Sequence, residues 1–251
     1  MIRPERENWP AASDLGAKRV AFFGGSFDPP HLGHLAVARA ARAAFHLDAV
    51  LFAPVGKQPL KPEGSMAGFD DRVEMTKLAI AGEPGLALSL ADAPNANGEP
   101  NFTLETLLGL RVELGPSGAL YCLMGADSFF DLRRWHRAAE IPFVAPLIVA
   151  SRPGEPMDGL EAALPQGLKL ESTYATERND SGVEIRQFRL VNETGEHSSL
   201  YVLPGLHVEI SASEVREAIR AERIGAHKGQ AVQAVLPAPV AEYVQAHGLY
   251  R

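Results

Sequence analysis

Short, nearly continuous apolar runs alternate along the chain with stretches whose apolar positions recur at helical spacing. The runs predict strands at Arg19–Phe23, Ala49–Ala53, Leu86–Leu90, Ala119–Met124 and Phe143–Ala150. Between them the spacing predicts helices at Leu32–Phe45, Asp70–Ala81, Thr103–Leu114 and Ser128–Arg137, with Thr103 placed to cap its helix. Apolar strands that alternate with helices belong in a parallel sheet covered on both faces. Residues 153–200 break this rhythm and are rich in Gly, Glu, Ser and Thr. Within them Val183–Leu190 roughly alternates apolar and polar positions, so a hairpin with Ser199–Leu203 is expected. Helical spacing resumes at Ser213–Arg220 and Pro239–His247. The expected architecture is α/β, a doubly wound parallel sheet with an inserted β-rich segment near 155–200. Residues 1–18 read as a polar lead-in and 19–251 as one domain.

Composition narrows the function classes. With 46% hydrophobic and 22% charged residues among 251, the chain is globular rather than disordered or fibrous. Lys and Arg total 24 against 31 Asp and Glu, a formal net charge of −7, so a general nucleic-acid binder is not expected. Any site for an anion must therefore be local. Cys122 is the one cysteine, which excludes an intramolecular disulfide and a cysteine zinc site and suits a reducing compartment. Its apolar strand makes it a buried core residue. The polar N-terminus does not read as a signal peptide, and the apolar run at 141–150 is too short for a bilayer and contains two prolines. A cytoplasmic protein with no membrane partner is expected.

The chemistry concentrates in Gly24-Gly25-Ser26-Phe27-Asp28-Pro29-Pro30-His31-Leu32-Gly33-His34, which leaves the first strand and enters the first helix. Glycines allow close backbone approach to a ligand, and the prolines are compatible with a helix start. His31 and His34, three apart, share one face of the first turn. The same turn presents unpaired N–H groups and the positive end of the helix dipole, a setting that suits a polyphosphate. Gly33 keeps the surface between the imidazoles open. Neither a Walker A loop nor a G-x-G-x-x-G fingerprint occurs in the chain. The histidines could instead ligate a metal, but that needs a third ligand and no H-E-x-x-H pattern is present. Farther on, Ile210-Ser211-Ala212-Ser213-Glu214-Val215-Arg216 reads as a helix start that Ser211 or Ser213 would cap, with Arg216 close to the N-terminus.

The H-x-G-H element after a first strand resembles the nucleotidylyltransferase superfamily, whose I-S-S-T-x-I-R element is similar to the 210–216 stretch, with Ala212 and Ser213 replacing Ser and Thr. Further stretches resemble bacterial nicotinate-nucleotide adenylyltransferases: Asp71-Arg72-Val73-Glu74-Met75, Asn101-Phe102-Thr103-Leu104-Glu105-Thr106-Leu107, Gly125-Ala126-Asp127-Ser128 followed by Trp135, Arg152-Pro153-Gly154, and the tail from Val240 to Tyr250. Two departures stand out. Gln58-Pro59-Leu60-Lys61 carries leucine where that family has histidine, and the segment near 155–200 is longer than the family's usual connection.

The resemblance implies a Rossmann-like fold and transfer of the adenylyl group of ATP to nicotinate mononucleotide, giving nicotinate adenine dinucleotide and pyrophosphate in NAD biosynthesis. It implies that the amides of Gly25, Ser26 and Phe27 line the site, and that His31, His34, Ser213 and Arg216 contact the triphosphate, with Lys61 available to a phosphate. Gly125 and Asp127 would hold the adenosine ribose, and Thr103 and Trp135 the pyridine ring. Mg²⁺ would accompany ATP. The substrate phosphate is already ionised, so no general base is required. Read from the residues alone, Asp127 serves equally as a helix cap, Trp135 as a surface ring or core edge, and Thr103 as a cap. Competing functions are pantetheine-phosphate adenylyltransferase or a cytidylyltransferase on the same fold, a non-catalytic nucleotide sensor, and a metal hydrolase built on His31 and His34. Oligomeric state, a homo-oligomer included, and the choice between nicotinate and nicotinamide are left open by the sequence.

Overall fold

A computed structural model of the chain describes residues 16, 18–61, 63–151, 159–178, 184–203, 211–223 and 234–250. Most of the 1–18 lead-in, Arg152-Pro153-Gly154, Val183 and Ile210 lie outside the described residues. The strands are β1 (Arg19–Gly25), β2 (Ala49–Pro54), β3 (Leu86–Leu88), β4 (Ala119–Gly125), β5 (Leu147–Ala150), β6 (Leu168–Arg178), β7 (Glu184–Asn192) and β8 (His197–Leu203). They form one sheet in the order β3-β2-β1-β4-β5-β8-β7-β6. β3 through β8 in that order pair in parallel, and β7 and β6 continue the sheet antiparallel.

Alternation along β1 divides the core. Val20 and Phe22 face one side, packed with Leu51, Leu120, Cys122 and Met124 beneath the helix Thr103–Leu114. Ala21 and Phe23 face the other, packed with Val50, Phe52, Ile148 and the Leu35, Ala38 and Ala41 face of the helix Leu32–Phe45. These helices are α3 and α1. α2 (Phe69–Ile80), α7 (Ala212–Arg223) and α8 (Ala238–His247) form a third cluster through Met75, Val215, Val240 and Val244, while the short α6 (Leu160–Ala163) packs on the first. Cys122 is buried as expected, and burial pushes its thiol up to about 12, out of reactive range.

Three readings of the sequence change. The helix expected at Ser128–Arg137 is three pieces: α4 (Ala126–Phe130), a 3-10 turn at Leu132–Arg134 and extended backbone at Trp135. The strand expected from Phe143 starts at Leu147, because Ile141–Val144 forms a short helix, α5, with proline in its first turn. The hairpin near 183–203 is present, with Leu190 opposite Ser198, but β8 also pairs with β5 as a parallel strand of the main sheet. The β-rich segment is therefore continuous with the sheet. Its outer strand, β6, was not expected.

The β order reverses between β1 and β4, which lie side by side and point the same way. Beyond the carboxyl ends of such strands a doubly wound sheet leaves a crevice. Gly25 and Gly125 end the two strands there.

Candidate active site

A cavity of about 680 Å³ fills this crevice. Its lining includes all twelve residues singled out in the sequence: Gly25, Ser26, Phe27, His31, His34, Lys61, Thr103, Gly125, Asp127, Trp135, Ser213 and Arg216. They come from segments nearly 200 residues apart, so helical or strand periodicity alone does not bring them together.

The loop after β1 is fixed from below. Arg72, buried on α2, donates from Nη1 to the Ser26 carbonyl (2.7 Å) and from Nη2 to the Val55 carbonyl (2.8 Å). Burial holds its guanidinium below its ordinary pKa, while Asp28 and Tyr250 act the other way. Phe27 sits at φ 46°, in the left-handed region, and its buried ring packs against Phe23, Phe52 and His34. Asp28 is buried; its carboxylate accepts from Met66 N–H (2.7 Å), Ala67 N–H (3.0 Å) and the Tyr250 hydroxyl (2.8 Å).

His31 takes the N-cap position of α1, and its ring lies 3.8 Å from that of His34, tilted by 33°. His34 Nδ1 accepts the His31 N–H at 3.1 Å, which leaves Nε2 as the ring's donor in its neutral tautomer. Burial, and after it the neighbouring His31, hold His34 well below the ordinary 6.5. Before ligand arrives, then, His34 is a neutral hydrogen-bond donor and not a fixed cation.

Positive charge comes from elsewhere. Arg216 donates from Nη1 to the Asp28 carbonyl (2.8 Å) and from Nη2 to Ser213 Oγ (3.0 Å), so the guanidinium is tied to the loop after β1. The cap of α7 is settled as Ser211: its Oγ accepts the Glu214 N–H and its own N–H donates to Glu214 Oε2. That leaves Ser213 on the cavity side as the partner of Arg216. Lys61 Nζ reaches Ser26 Oγ at 3.2 Å, and Leu60 is 39% exposed at the cavity wall. The cavity is not uniformly cationic. Asp92, Asp127 and Asp131 also line it, and Arg134 pairs with Asp131 at 3.0 Å.

The far wall follows β4 and α3. Gly125, not Asp127, takes the N-cap position of α4, and Asp127 lies in its first turn. Phe102 takes the N-cap position of α3, which puts Thr103 at the first helical residue without a side-chain cap bond. Trp135 is half-buried against the core edge, and next to it the His136 ring lies 4.4 Å from Phe102. Asp92 is buried and accepts from Thr106 Oγ1 (2.8 Å); burial raises its carboxyl to about 6 in spite of that bond. Gly56 lets the chain pass here, since a Cβ would fall 2.4 Å from the Pro94 nitrogen.

The sequence reading gave no role to Asp28, Arg72, Asp92 or Tyr250. Asp28, Arg72 and Tyr250 did stand within quoted motifs, and a polar residue within them was the available signal.

Residues 22–218 match the cytidylyltransferase-like family model. Proteins named probable nicotinate-nucleotide adenylyltransferase from Gloeobacter violaceus and Stenotrophomonas maltophilia are 36% and 38% identical to this chain. The matches span 93% and 92% of this chain and 96% of each relative. Among solved structures, a Plasmodium falciparum nicotinic acid mononucleotide adenylyltransferase complexed with NaAD superposes with TM-score 0.64 over 93% of this chain and 97% of that one. At 16% identity this shows a shared fold. By these matches the chain belongs to the cytidylyltransferase-like family and, within it, to the nicotinate-nucleotide adenylyltransferases.

Proposed function

We propose that the chain joins ATP and nicotinate mononucleotide, releasing pyrophosphate and forming nicotinate adenine dinucleotide for NAD synthesis, and that residues 19–251 act as one unit in doing so. The observation that carries this reading is the convergence of all twelve residues on one cavity at the strand-order reversal. In this reading the mononucleotide phosphate oxygen attacks the α-phosphorus of ATP in line. A bond forms between them as the bond from the α-phosphorus to the bridging oxygen breaks and pyrophosphate leaves. No proton need be removed from the attacking oxygen, and the described site places no Ser-His-Asp or Cys-His pair that would demand a covalent intermediate.

Two anions must meet, so positioning and charge neutralisation supply the catalysis. Arg216 and Lys61 bring cationic donors to the loop after β1. The α1 dipole and the amides of Gly25, Ser26 and Phe27 add to this, although the N–H groups of His31, Leu32 and His34, expected to be unpaired, already donate to His34 Nδ1 and to the Val235 and His31 carbonyls. His34 contributes its Nε2–H, and the tilted His31 ring lies 3.8 Å from it. Ser213 steadies Arg216 and faces the triphosphate. Across the cavity, Asp127 and Gly125 hold the adenosine ribose, and Trp135 and Thr103 hold the pyridine ring. Among the described residues no group of three or more His, Cys, Asp or Glu is placed to hold a metal ion, and Mg²⁺ would enter with ATP, its charge offsetting that of the phosphates. Bound in that way, the ion would lower the negative charge that the attacking phosphate meets.

Among the described residues no helix is long and apolar enough to cross a membrane. The test is pyrophosphate release from ATP, Mg²⁺ and nicotinate mononucleotide, run beside nicotinamide mononucleotide, phosphopantetheine and CTP. Release requiring ATP and nicotinate mononucleotide supports the reading. Turnover only with another pair replaces it.

A further inference from the structure

Beyond α8, one side chain reaches back to the reactive loop. Tyr250 lies 222 positions from Asp28 in sequence, yet its hydroxyl donates to Asp28 Oδ1 at 2.8 Å, with both side chains buried. Asp28 is a junction. Its two carboxylate oxygens also take the Met66 and Ala67 N–H groups, which end the loop bearing Lys61. Its backbone carbonyl takes Arg216 Nη1. A buried carboxylate held by three donors anchors the Asp28 side chain and so limits how far the backbone that carries the Arg216 bond can shift. Tyr250 is itself seated on α2 by its hydroxyl's contact with Met75 Sδ, and Tyr243 on α8 donates to Asp71 at 2.9 Å. Asp28 in turn raises the Tyr250 pKa, burial being the larger cause, so the hydroxyl keeps its proton and stays a donor. The charged groups facing the pair are Arg72 and Arg216.

We propose that Tyr250 and Asp28 are positioning residues, through which the C-terminal tail holds Arg216 and the Lys61 loop in the geometry that receives the triphosphate. Neither needs to touch substrate. This inference rests on the proposed adenylyl transfer for its kinetic readout and on ATP-analogue binding for an independent one.

The decisive variant is Tyr250→Phe, which removes one hydroxyl and keeps the buried ring. Val240→Ala is the control: Val240 is a buried core residue of α8 with no part in the junction, so it loosens the tail's packing alone. For Tyr250→Phe the expected result is an approximately tenfold fall in kcat, as loss of a hydrogen bond to a charged group can give. KM for ATP should rise and KM for the mononucleotide stay put, and loss of the bond to a buried carboxylate should lower Tm by roughly 3–10 °C, a loss of the same order as that expected for Val240→Ala. Calorimetry with a non-hydrolysable ATP analogue should show weaker binding in this variant and parental binding in Val240→Ala. Parental kcat and analogue affinity in Tyr250→Phe overturn the inference. So does activity that falls in both variants in step with Tm, which would make the tail merely structural. If the parent itself turns over no mononucleotide, the proposed reaction fails, and the analogue affinities of the two variants still decide on the positioning role.

Discussion

Replacing His34 with alanine separates the imidazole's chemical contribution from its structural one. Folding should lose little. The ring is half-buried by solvent exposure, its Nδ1 makes one hydrogen bond with the His31 N–H, and its ring contacts are a tilted one with His31 at 3.8 Å, an edge contact with Phe27 at 5.0 Å and a tilted one with Phe23 at 6.0 Å. Loss of one such bond costs about 1 kcal/mol. Catalysis should lose more. A preorganised donor directed at developing phosphate charge is worth about two decades in rate, or roughly 2.7 kcal/mol of barrier. Because His34 is neutral at rest, the loss is of a donor and not of a fixed charge, so His34→Gln, which keeps an N–H donor, should recover part of the rate. The assay is pyrophosphate release at saturating ATP and nicotinate mononucleotide, beside thermal unfolding of each variant. Wild-type kcat in a folded His34→Ala protein would refute the reasoning. So would a loss that His34→Gln does not relieve at any pH.

Other consequences follow from the same geometry. Trp135→Ala should raise KM for the mononucleotide far more than KM for ATP; equal effects would remove the indole from the pyridine site. Arg72→Met strips the donors from the Ser26 and Val55 carbonyls and leaves Asp28 without its buried counter-charge. It should cost about 3–5 kcal/mol and lower Tm by roughly 10 °C, as seen by calorimetry; an unchanged Tm would show that the guanidinium does not hold the loop. Asp92 tests linkage: its folded pKa is raised from 3.8 to about 6, so the protonated form favours folding below that pH and the ionised form opposes it at pH 7. Asp92→Asn keeps an acceptor for Thr106 and should stabilise the protein by about 2–3 kcal/mol at pH 7.5, a gain that shrinks toward pH 4. Denaturant melts at both pH values check it, and destabilisation at pH 7.5 would contradict it.

What could be read from the sequence had local causes. The inner strands are apolar on both faces, so β1, β2 and β4 stand out as runs, and the α1 and α3 bounds follow from their apolar spacing. Ser128–Arg137 misled because Phe129 and Leu132 are both buried at near-helical spacing although the backbone between them changes type. Phe143 lies in an apolar run whose first turn contains Pro142, and the run's hydrophobicity masked that turn. β6 sits at the sheet edge, with Lys169 and Glu171 interrupting its apolar positions and a register shift between Glu171 and Tyr174, so its pattern is weak. The loop at Gly24–His34 and the helix start at 210–216 were legible because phosphate-binding loops need particular residue types close together, whereas Lys61, Thr103, Gly125, Asp127 and Trp135 were marked by the family resemblance. Asp28 with Tyr250 and Arg72 with Ser26 were not, because such pairs are made by tertiary contact and leave no spacing in the sequence.

The central claim is that the amino end of α1, with His31, His34 and Arg216, receives the triphosphate. A crystal structure with a non-hydrolysable ATP analogue tests it directly. The account predicts phosphate oxygens within hydrogen-bond distance of His34 Nε2 and the Arg216 guanidinium, with the ribose beside Gly125 and Asp127. An analogue bound with its phosphates elsewhere on the protein would contradict it.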